Sequence, residues 1–315
     1  MSTMVENEIG IVYHATGSRH IELAVRSAES AKRHMPEVSI TLFSDEPPDS
    51  NCISNHIEVE PTPTTKTHRI SRIECLSNTP YEKTLYLDSD TYICDDIRKE
   101  FEILDRFDIV GRVIPYRERL ESLPDFDNFA PEAPRKFPWY NAGVLFYRKN
   151  ENTEKIFEDW NDIYLKYTCE EYAGDQLGLR ESLYKNKMVD IGSLPPEYNL
   201  FPAVAGSAWN KIKITHAVPD SRNRIVNHLP ELSEQLNYSI EKSETSKIVF
   251  DGVHSGVNGK VYIPKKGQMF SNVSKSYRIP SKYSILYKRA KEIYRKEGAR
   301  PFLSKLYNYI RNRRT

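Results

Sequence analysis

No stretch of this 315-residue chain approaches the roughly 20 consecutive apolar residues that a membrane-spanning helix needs, so a bilayer-crossing protein is not expected. The N-terminal "MSTMVENEIG" has no basic segment followed by a long apolar one. Without that secretory pattern the expected location is cytoplasmic, at most peripheral on the cytoplasmic face of a membrane. Cysteine is scarce: Cys52, Cys75, Cys94 and Cys169 lie far apart and form no C-x-x-C pair. That spacing argues against a zinc site or a redox motif and for reduced, structural thiols. No internal repeat is found.

What is present fits a soluble folded chain, with 39% hydrophobic and 28% charged residues. The length exceeds a typical single domain, and one large α/β unit with an appendage is the first expectation. The formal net charge of +1 hides an asymmetry. Residues 265–315 carry 15 Lys and Arg against Glu292 and Glu297, a formal +13, which leaves the first 264 residues at −12. Two regions of opposite sign are expected to face different partners.

The alternation of patterns predicts strands and helices in turn. "EIGIVYHATG" reads as a buried strand entering a glycine loop, and the helix that follows shares a face of Ile21, Ala24, Val25 and Ala28 before Pro36 ends it. "VSITLFSDEPP" is a second strand, residues 65–77 a helix, and "TPYEKTLYLDSD" the third strong strand. Asp96 reads as the cap of a helix carrying Ile97, Phe101 and Leu104 on one face. "FDIVGRVIP" returns as a strand. Residues 115–139, rich in proline, read as an irregular excursion of the kind that often serves function. Beyond it, "WYNAGVLFYR" is a strand, "TEKIFEDWNDIYLKY" a helix with Ile156, Trp160, Ile163, Tyr164 and Tyr167 inward, and "DQLGLRESLYKN" another helix. "MVDIGSLPPEYNLFP" and "KIKITHAV" supply strand and loop pieces, and "SIEKSETSK" a solvated segment. Such alternation implies a mainly parallel sheet flanked by helices, with ligands collecting at the strands' C-terminal ends.

The chemistry concentrates in "EKTLYLDSDTYICDDI". A strand of apolar residues ends in Asp88 and Asp90, whose like charges repel unless something positive lies between them. Alternate residues of an extended segment point the same way, so both carboxylates can converge on one hard divalent cation. Asp125 and Asp127 repeat the spacing, but in the proline-rich loop with no strand to place them. A capping or turn role suits Asp95 and Asp96 and leaves Asp88 unexplained.

The run "KTLYLDSDTYICDDI", followed in order by "YNAGVLFYR", "GDQLGLRESL", "LPPEYNLF" and "KITHA", resembles the GT-A glycosyltransferases, in particular glycosyltransferase family 8 and related nucleotide-diphospho-sugar transferases. The resemblance spans residues 8 to 217. It implies a Rossmann-like GT-A catalytic domain over 8–264, with a nucleotide-sugar-binding part at 8–115, an acceptor-side part at 116–264 and a basic amphipathic tail at 265–315.

It further implies a metal-dependent transfer of a sugar from a nucleotide diphosphate sugar, UDP favoured, to a glycan or lipid-linked acceptor, with retained anomeric configuration. Asp88 and Asp90 would bind Mn²⁺, or Mg²⁺, on the donor diphosphate. His216 would complete the site, with His228 and His254 as rivals; a nitrogen ligand favours Mn²⁺. The metal would stabilise charge on the departing nucleoside diphosphate.

The donor would lie against Tyr13, His14, Ala15 and Thr16, with Tyr13 or His14 stacking on the base. Ser89, Asn141, Ala142 and Gly143 would line it further along. Lys66, Arg69 and Arg72, at i, i+3 and i+6, form a stripe that either reaches the diphosphate or is a solvated helix face. Asp175 would be the carboxylate nearest the anomeric carbon, with Gln176 beside it, unless Asp175 is merely a helix N-cap. The chain departs from the family after His216, reading "HAVPDSRNR", where Lys211, Lys213, Arg222 or Arg224 would have to supply the missing diphosphate contacts.

Two other classes remain open. A sugar nucleotidyltransferase would show a Gly-rich N-terminal loop, which "YHATGSRHIE" lacks; a non-catalytic binding module would have no need of the metal residues. The tail, with Ile285, Leu286, Ile293, Leu303, Leu306 and Ile310 among tyrosines and dense basic residues, reads as two short helices. Residues 282–315 suit either an anionic membrane surface or the acidic catalytic domain. No nucleic acid partner is expected.

Overall fold

The computed structural model describes residues 8–114, 132–167, 175–202, 206–217, 229–241, 248–250, 260–264 and 273–278. Asp125, Asp127, Arg222, Arg224, His228, His254, the side chain of Tyr167 and the tail helices expected in 282–315 lie outside them.

The chain starts with β1 (Ile9–Ala15), α1 (Ser18–His34), β2 (Ser39–Ser44), β3 (Asn55–Glu58), α2 (Thr65–Ser77) and β4 (Lys83–Leu87). Gly17 allows the sharp entry into α1, since its φ of 81° lies where side chains are disfavoured. Its N–H donates to Asp45 at 2.8 Å. Thr64 opens α2: its hydroxyl accepts from the Thr67 N–H and the Thr67 hydroxyl accepts from the Thr64 N–H, both at 3.1 Å, a reciprocal cap that satisfies two otherwise orphaned donors. After β4 come β5 (Thr91–Ile93), a 3₁₀ helix at Arg98–Asp105, β6 (Ile109–Val113), β7 (Tyr140–Arg148), α3 (Glu151–Tyr167), α4 (Gln176–Lys185) and β8 (Ile191–Leu194).

Seven strands form one sheet in the order β3-β2-β1-β4-β7-β6-β8. All neighbours are parallel except β7, which runs antiparallel to both β4 and β6. Period-two alternation decides what each strand residue meets. On one face, Ile11, Tyr13, Ala15, Leu85 and Leu87 pack with α1 residues Ile21, Ala24 and Ala28. On the other, Val12, Tyr86, Leu145 and Tyr147 pack with Ile73 and Leu76 of α2, Ile156 and Trp160 of α3, and Leu179 of α4.

A second set of strands, β9 (Gly206–Ala208), β10 (Ile214–His216), β11 (Ile248–Phe250), β12 (Lys260–Pro264) and β13 (Val273–Arg278), follows with α5 (Leu229–Glu241). β10 pairs antiparallel with β5, and β13-β12-β11-β9 form an antiparallel sheet. Leu229, Leu232, Leu236 and Ile240 of α5 join Leu200, Ala208, Ile212 and Ile248 in a third core.

The α/β expectation therefore holds, with corrections of detail. Asp96 does not cap an α-helix: a 3₁₀ helix begins after Ile97, and Asp96 accepts from the Arg98 N–H at 3.0 Å. The helix α5 overlaps the start of the segment expected to be solvated. The strand β13 lies within the stretch assigned to the tail.

Candidate active site

The turn after β4 builds the centre of the site. The Asp88 N–H still donates to the Gly143 carbonyl of β7 at 2.8 Å, and the Asp88 carbonyl then accepts from the Thr91 N–H at 3.2 Å and the Thr91 hydroxyl at 2.8 Å. This tight reversal sends the chain into β5, where Thr91 stands opposite His216 of β10. Two segments more than a hundred residues apart thus place three ligand-type side chains together. His216 Nε2 lies 3.1 Å from Asp90 Oδ1 and 3.7 Å from Asp88 Oδ2. One ligand atom from each lies within 4.8 Å of the other two.

Two observations test whether a divalent ion fits. The donor set of two carboxylate oxygens and one imidazole nitrogen suits Mn²⁺ or a similar cation. The space beside it is held open by Gly143, where a Cβ would run into the Asp88 carboxylate and the His216 ring. The residues fit.

Arg72 supplies the site's buried positive charge. It is 1% exposed, donates to Asp88 Oδ1 at 3.3 Å through one guanidinium nitrogen and to Asp175 Oδ2 through another. Its guanidinium also sits over the Tyr86 and Trp160 rings at 5.8 and 5.6 Å. Burial alone would raise the Asp88 pKa, but Arg72 and His216 outweigh it and hold the carboxyl well below its usual range. Burial likewise pulls His216 down, and the Asp90 and Asp88 carboxylates more than restore it, so its pKa ends above the ordinary value. The Tyr86 hydroxyl adds a donor to Asp88 Oδ1 at 2.8 Å.

Asp175 precedes α4 but makes no side-chain cap. Its carboxylate is spent on Arg72, while its carbonyl accepts from the Trp160 indole at 2.8 Å. The arrangement ties Asp175 and the metal-ligand candidate Asp88 to the two terminal nitrogens of one guanidinium. Asn141 and Ala142 are buried in β7, and Asn141 Oδ1 accepts from the Gly143 N–H at 3.0 Å.

At the end of β1 the two stacking candidates part company. Tyr13 is fully buried on the α1 face and hydrogen-bonded to Ser27 at 3.0 Å, so its side chain does not meet a base. His14, on the face of α2, lies 3.0 Å from Ser71 and 4.7 Å, ring to ring, from His68. Its Nδ1 is buried without a partner. Thr16 reaches Thr62 and, at 3.2 Å, His68. The basic stripe also divides: Lys66 is exposed, Arg69 half-buried and Arg72 buried. Lys211 and Lys213 pair with Asp95 at 3.2 and 2.9 Å, not with the Asp88–Asp90 pair.

A cleft of about 630 Å³ opens between β3 and α2, lined by Phe43, Ile57, Val59, Ile70, Ser71 and Cys75 among others. It includes neither the carboxylate pair nor His216, so volume does not locate the chemistry here. Sequence reasoning missed Asn199 and Tyr86, and it did not see that Arg72 joins Asp88 to Asp175. The signal for Arg72 was its place beside Ile73 and Leu76 on the apolar side of α2; for Asn199 there was none.

A mostly parallel sheet covered by helices on both faces, with a carboxylate pair at the end of its fourth strand, is the GT-A architecture, and comparison with solved structures agrees. The galactosyltransferase LgtC, solved in complex with donor and acceptor sugar analogues, superposes with a TM-score of 0.51 at 17% identity, over 72% of this chain and 95% of that one. An active-site mutant of LgtC gives 0.50 at 15% identity over the same shares. At these identities the likeness establishes the fold. No protein-family profile matches the sequence, and no curated protein does.

Proposed function

We propose that this chain is a metal-dependent glycosyltransferase that moves a sugar from a nucleotide diphosphate sugar, UDP-linked by preference, to a glycan or lipid-linked acceptor with retention of configuration. The observation that carries this reading is the convergence of Asp88, Asp90 and His216 at the β4 end of the GT-A sheet. LgtC, solved with donor and acceptor sugar analogues, shares the fold.

Asp88, Asp90 and His216 would hold Mn²⁺ or Mg²⁺, which when bound offsets charge developing on a departing diphosphate. The chain's own residues do the rest. His14, Ala15 and Thr16 at the β1 end, Ser89 in the turn, and Asn141, Ala142 and Gly143 on β7 position the donor, with Tyr13 contributing backbone only. Arg69 and Lys66 face its phosphates from α2. Asp175 and Gln176 sit on the sugar side, and Arg72 holds the Asp175 carboxylate in place. Residues 8–115 form the donor half and 116–264 the acceptor half. The basic segment 282–315 would bring a cytoplasmic enzyme to an anionic membrane carrying a lipid-linked acceptor.

The test is incubation of purified protein and Mn²⁺ with a panel of nucleotide sugars, following slow hydrolysis of the donor. One donor should be consumed, only with divalent metal, and not by Asp90→Asn. Metal-independent turnover or condensation of a sugar phosphate with a nucleoside triphosphate would point to the nucleotidyltransferase class. Binding of a donor without any turnover would point to a non-catalytic module.

A further inference from the structure

A chain of three hydrogen bonds runs behind the carboxylate–histidine cluster and fixes its polarity from the backbone outward. It starts at the Gly143 N–H, a donor that cannot rotate or exchange roles. That N–H donates to Asn141 at 3.0 Å, so the atom it meets is the amide oxygen Oδ1. The same oxygen lies 2.8 Å from the side-chain amide of Asn199, which must therefore present Nδ2 to it. With Nδ2 turned to Asn141, Asn199 Oδ1 faces His216 Nδ1 at 3.0 Å. An amide oxygen accepts and cannot donate, so the proton between them sits on His216 Nδ1. Reversing any one amide would set oxygen against oxygen or leave the Gly143 N–H without its acceptor.

We infer that Asn199 is a positioning residue that holds His216 in the Nδ1–H form and so turns the Nε2 lone pair toward Asp88 and Asp90. As a ligand role for His216 this rests on the metal reading above; the proton on Nδ1 does not. In the absence of a cation Asp90 Oδ1, 3.1 Å from Nε2, accepts the hydrogen bond of a second proton there. Asn199 is suited to the task because it cannot adjust. It is fully buried, its backbone carbonyl is held by Arg112, and it lies between β8 and β10 just after a single 3₁₀ turn at Pro196–Tyr198. Phe201 adds a stop on the imidazole, its ring 4.9 Å from that of His216.

The chain has a second consequence at Asn141. Its oxygen is engaged twice within the protein, so what Asn141 offers a ligand is its amide hydrogens alone. A hydroxyl or phosphate oxygen that accepts is welcome there, and a group that can only donate is not. Asn199 thus sets two neighbouring preferences, one for a cation at His216 and one for an acceptor atom at Asn141.

Two substitutions separate the halves. Asn199→Ala removes both the acceptor for His216 and the donor for Asn141. Asn199→Asp keeps an acceptor for His216 but replaces the donor to Asn141 by a second carboxylate oxygen that faces Asn141 Oδ1. The first readout is the ring-nitrogen spectrum of protein labelled with ¹⁵N-histidine, at pH 9 and without metal, with His216 assigned by its absence in His216→Gln. The second is Mn²⁺ affinity, followed by the electron paramagnetic resonance signal of free Mn²⁺.

The wild type should show a protonated Nδ1 on His216, both in the neutral ring and in the doubly protonated ring that donates from Nε2 to Asp90. Asn199→Ala should populate Nε2–H and lose about tenfold or more in Mn²⁺ affinity, the range seen when the hydrogen-bond partner of a ligand histidine is removed. Asn199→Asp should keep Nδ1–H and Mn²⁺ affinity of wild-type order. Finding the wild-type ring protonated at Nε2 and bare at Nδ1 overturns the assignment, as does a folded Asn199→Ala that retains both Nδ1–H and wild-type Mn²⁺ affinity. If Asn199→Ala does not fold, the wild-type spectrum and Asn199→Asp decide. A wild type with Nδ1–H that binds no Mn²⁺ supports the positioning assignment and counts against the metal reading.

Discussion

Arg72 answers two carboxylates at once, Asp88 and Asp175, from a position with almost no contact with water. Removing one partner from a buried charge group is costly because the other is left desolvated and alone, typically by about 3–5 kcal/mol. Arg72→Met should therefore destabilise the protein by that order in urea unfolding. A divalent cation at Asp88 would restore part of the lost positive charge, so saturating Mn²⁺ should raise the melting temperature of Arg72→Met more than that of the wild type. Equal shifts would mean that the ion, if it binds, does not share Asp88 with the guanidinium. Gly143 tests the site from the opposite side. Gly143→Ala drives a methyl group into the Asp88 carboxylate and the His216 ring, and Mn²⁺ affinity should fall by about tenfold or more by the same titration. Unchanged affinity would place the cation elsewhere. Much of this was legible in the sequence: Asp88 and Asp90 are marked by the strand they end, and His216 by its place in an ordered set of segments. Arg72 was legible only as one of three evenly spaced basic residues, because a stripe of charge reads the same whether its last member is solvated or buried. A neutral amide such as Asn199 carries no period and no charge to betray it.

At the level of elements, alternation along β1 decides what the sequence left open. Tyr13 and His14 are neighbours, so one must face α1 and the other α2, and the pairing of β1 with β2 and β4 gives Tyr13 to the α1 core. His14 is then pressed between β1 and α2 beside His68. Burial pushes His14 down to about 3, with His68 and Arg72 adding to it, and burial pushes His68 down to about 4. Both pKa values are depressed below that of an unfolded histidine, so between pH 6.5 and about 3 the unfolded chain binds protons that the folded one refuses. Stability is complete above pH 6.5 and drains as the pH falls through that window. For His14 alone, moving from pH 7 to pH 5 should cost about 2 kcal/mol. Urea unfolding at the two pH values measures it, and His14→Gln should lose less on the same change. An identical loss would show that His14 does not contribute. The helices α1 to α4 were legible because each carries one apolar stripe. The helix α5 has one too, in Leu229, Leu232, Leu236 and Ile240, but it lies among short strands whose partners are distant in sequence. The β5–β10 pairing and the sheet of β9 and β11–β13 come from such long-range contacts, and no local pattern announces them.

Over the whole molecule the charge is divided, −12 in the first 264 residues and +13 in the remainder. No helix among the described residues is long and apolar enough to cross a membrane. The segment proposed to meet a lipid surface is the basic run 282–315, whose leucines, isoleucines and tyrosines lie among Lys and Arg. Such a composition binds where anionic headgroups attract the cations and the apolar side chains sink to the acyl boundary. The acidic catalytic part competes for the same charges, and the two arrangements respond differently to truncation. Because β13 ends at Arg278 and pairs with β12, a chain cut after Ser281 keeps every described strand. Sedimentation with anionic and neutral vesicles should show full-length protein on the anionic ones alone, released as salt rises because exposed charges are screened, and the shortened chain on neither. Full-length protein that stays in the supernatant at low salt, or a shortened chain that unfolds, would assign the segment to the fold. The salt series adds a check that composition alone cannot supply. Attraction by headgroups weakens steadily as the screening length shortens, whereas anchoring by apolar side chains persists, so residual binding at high salt measures how far the apolar residues of 282–315 enter the bilayer.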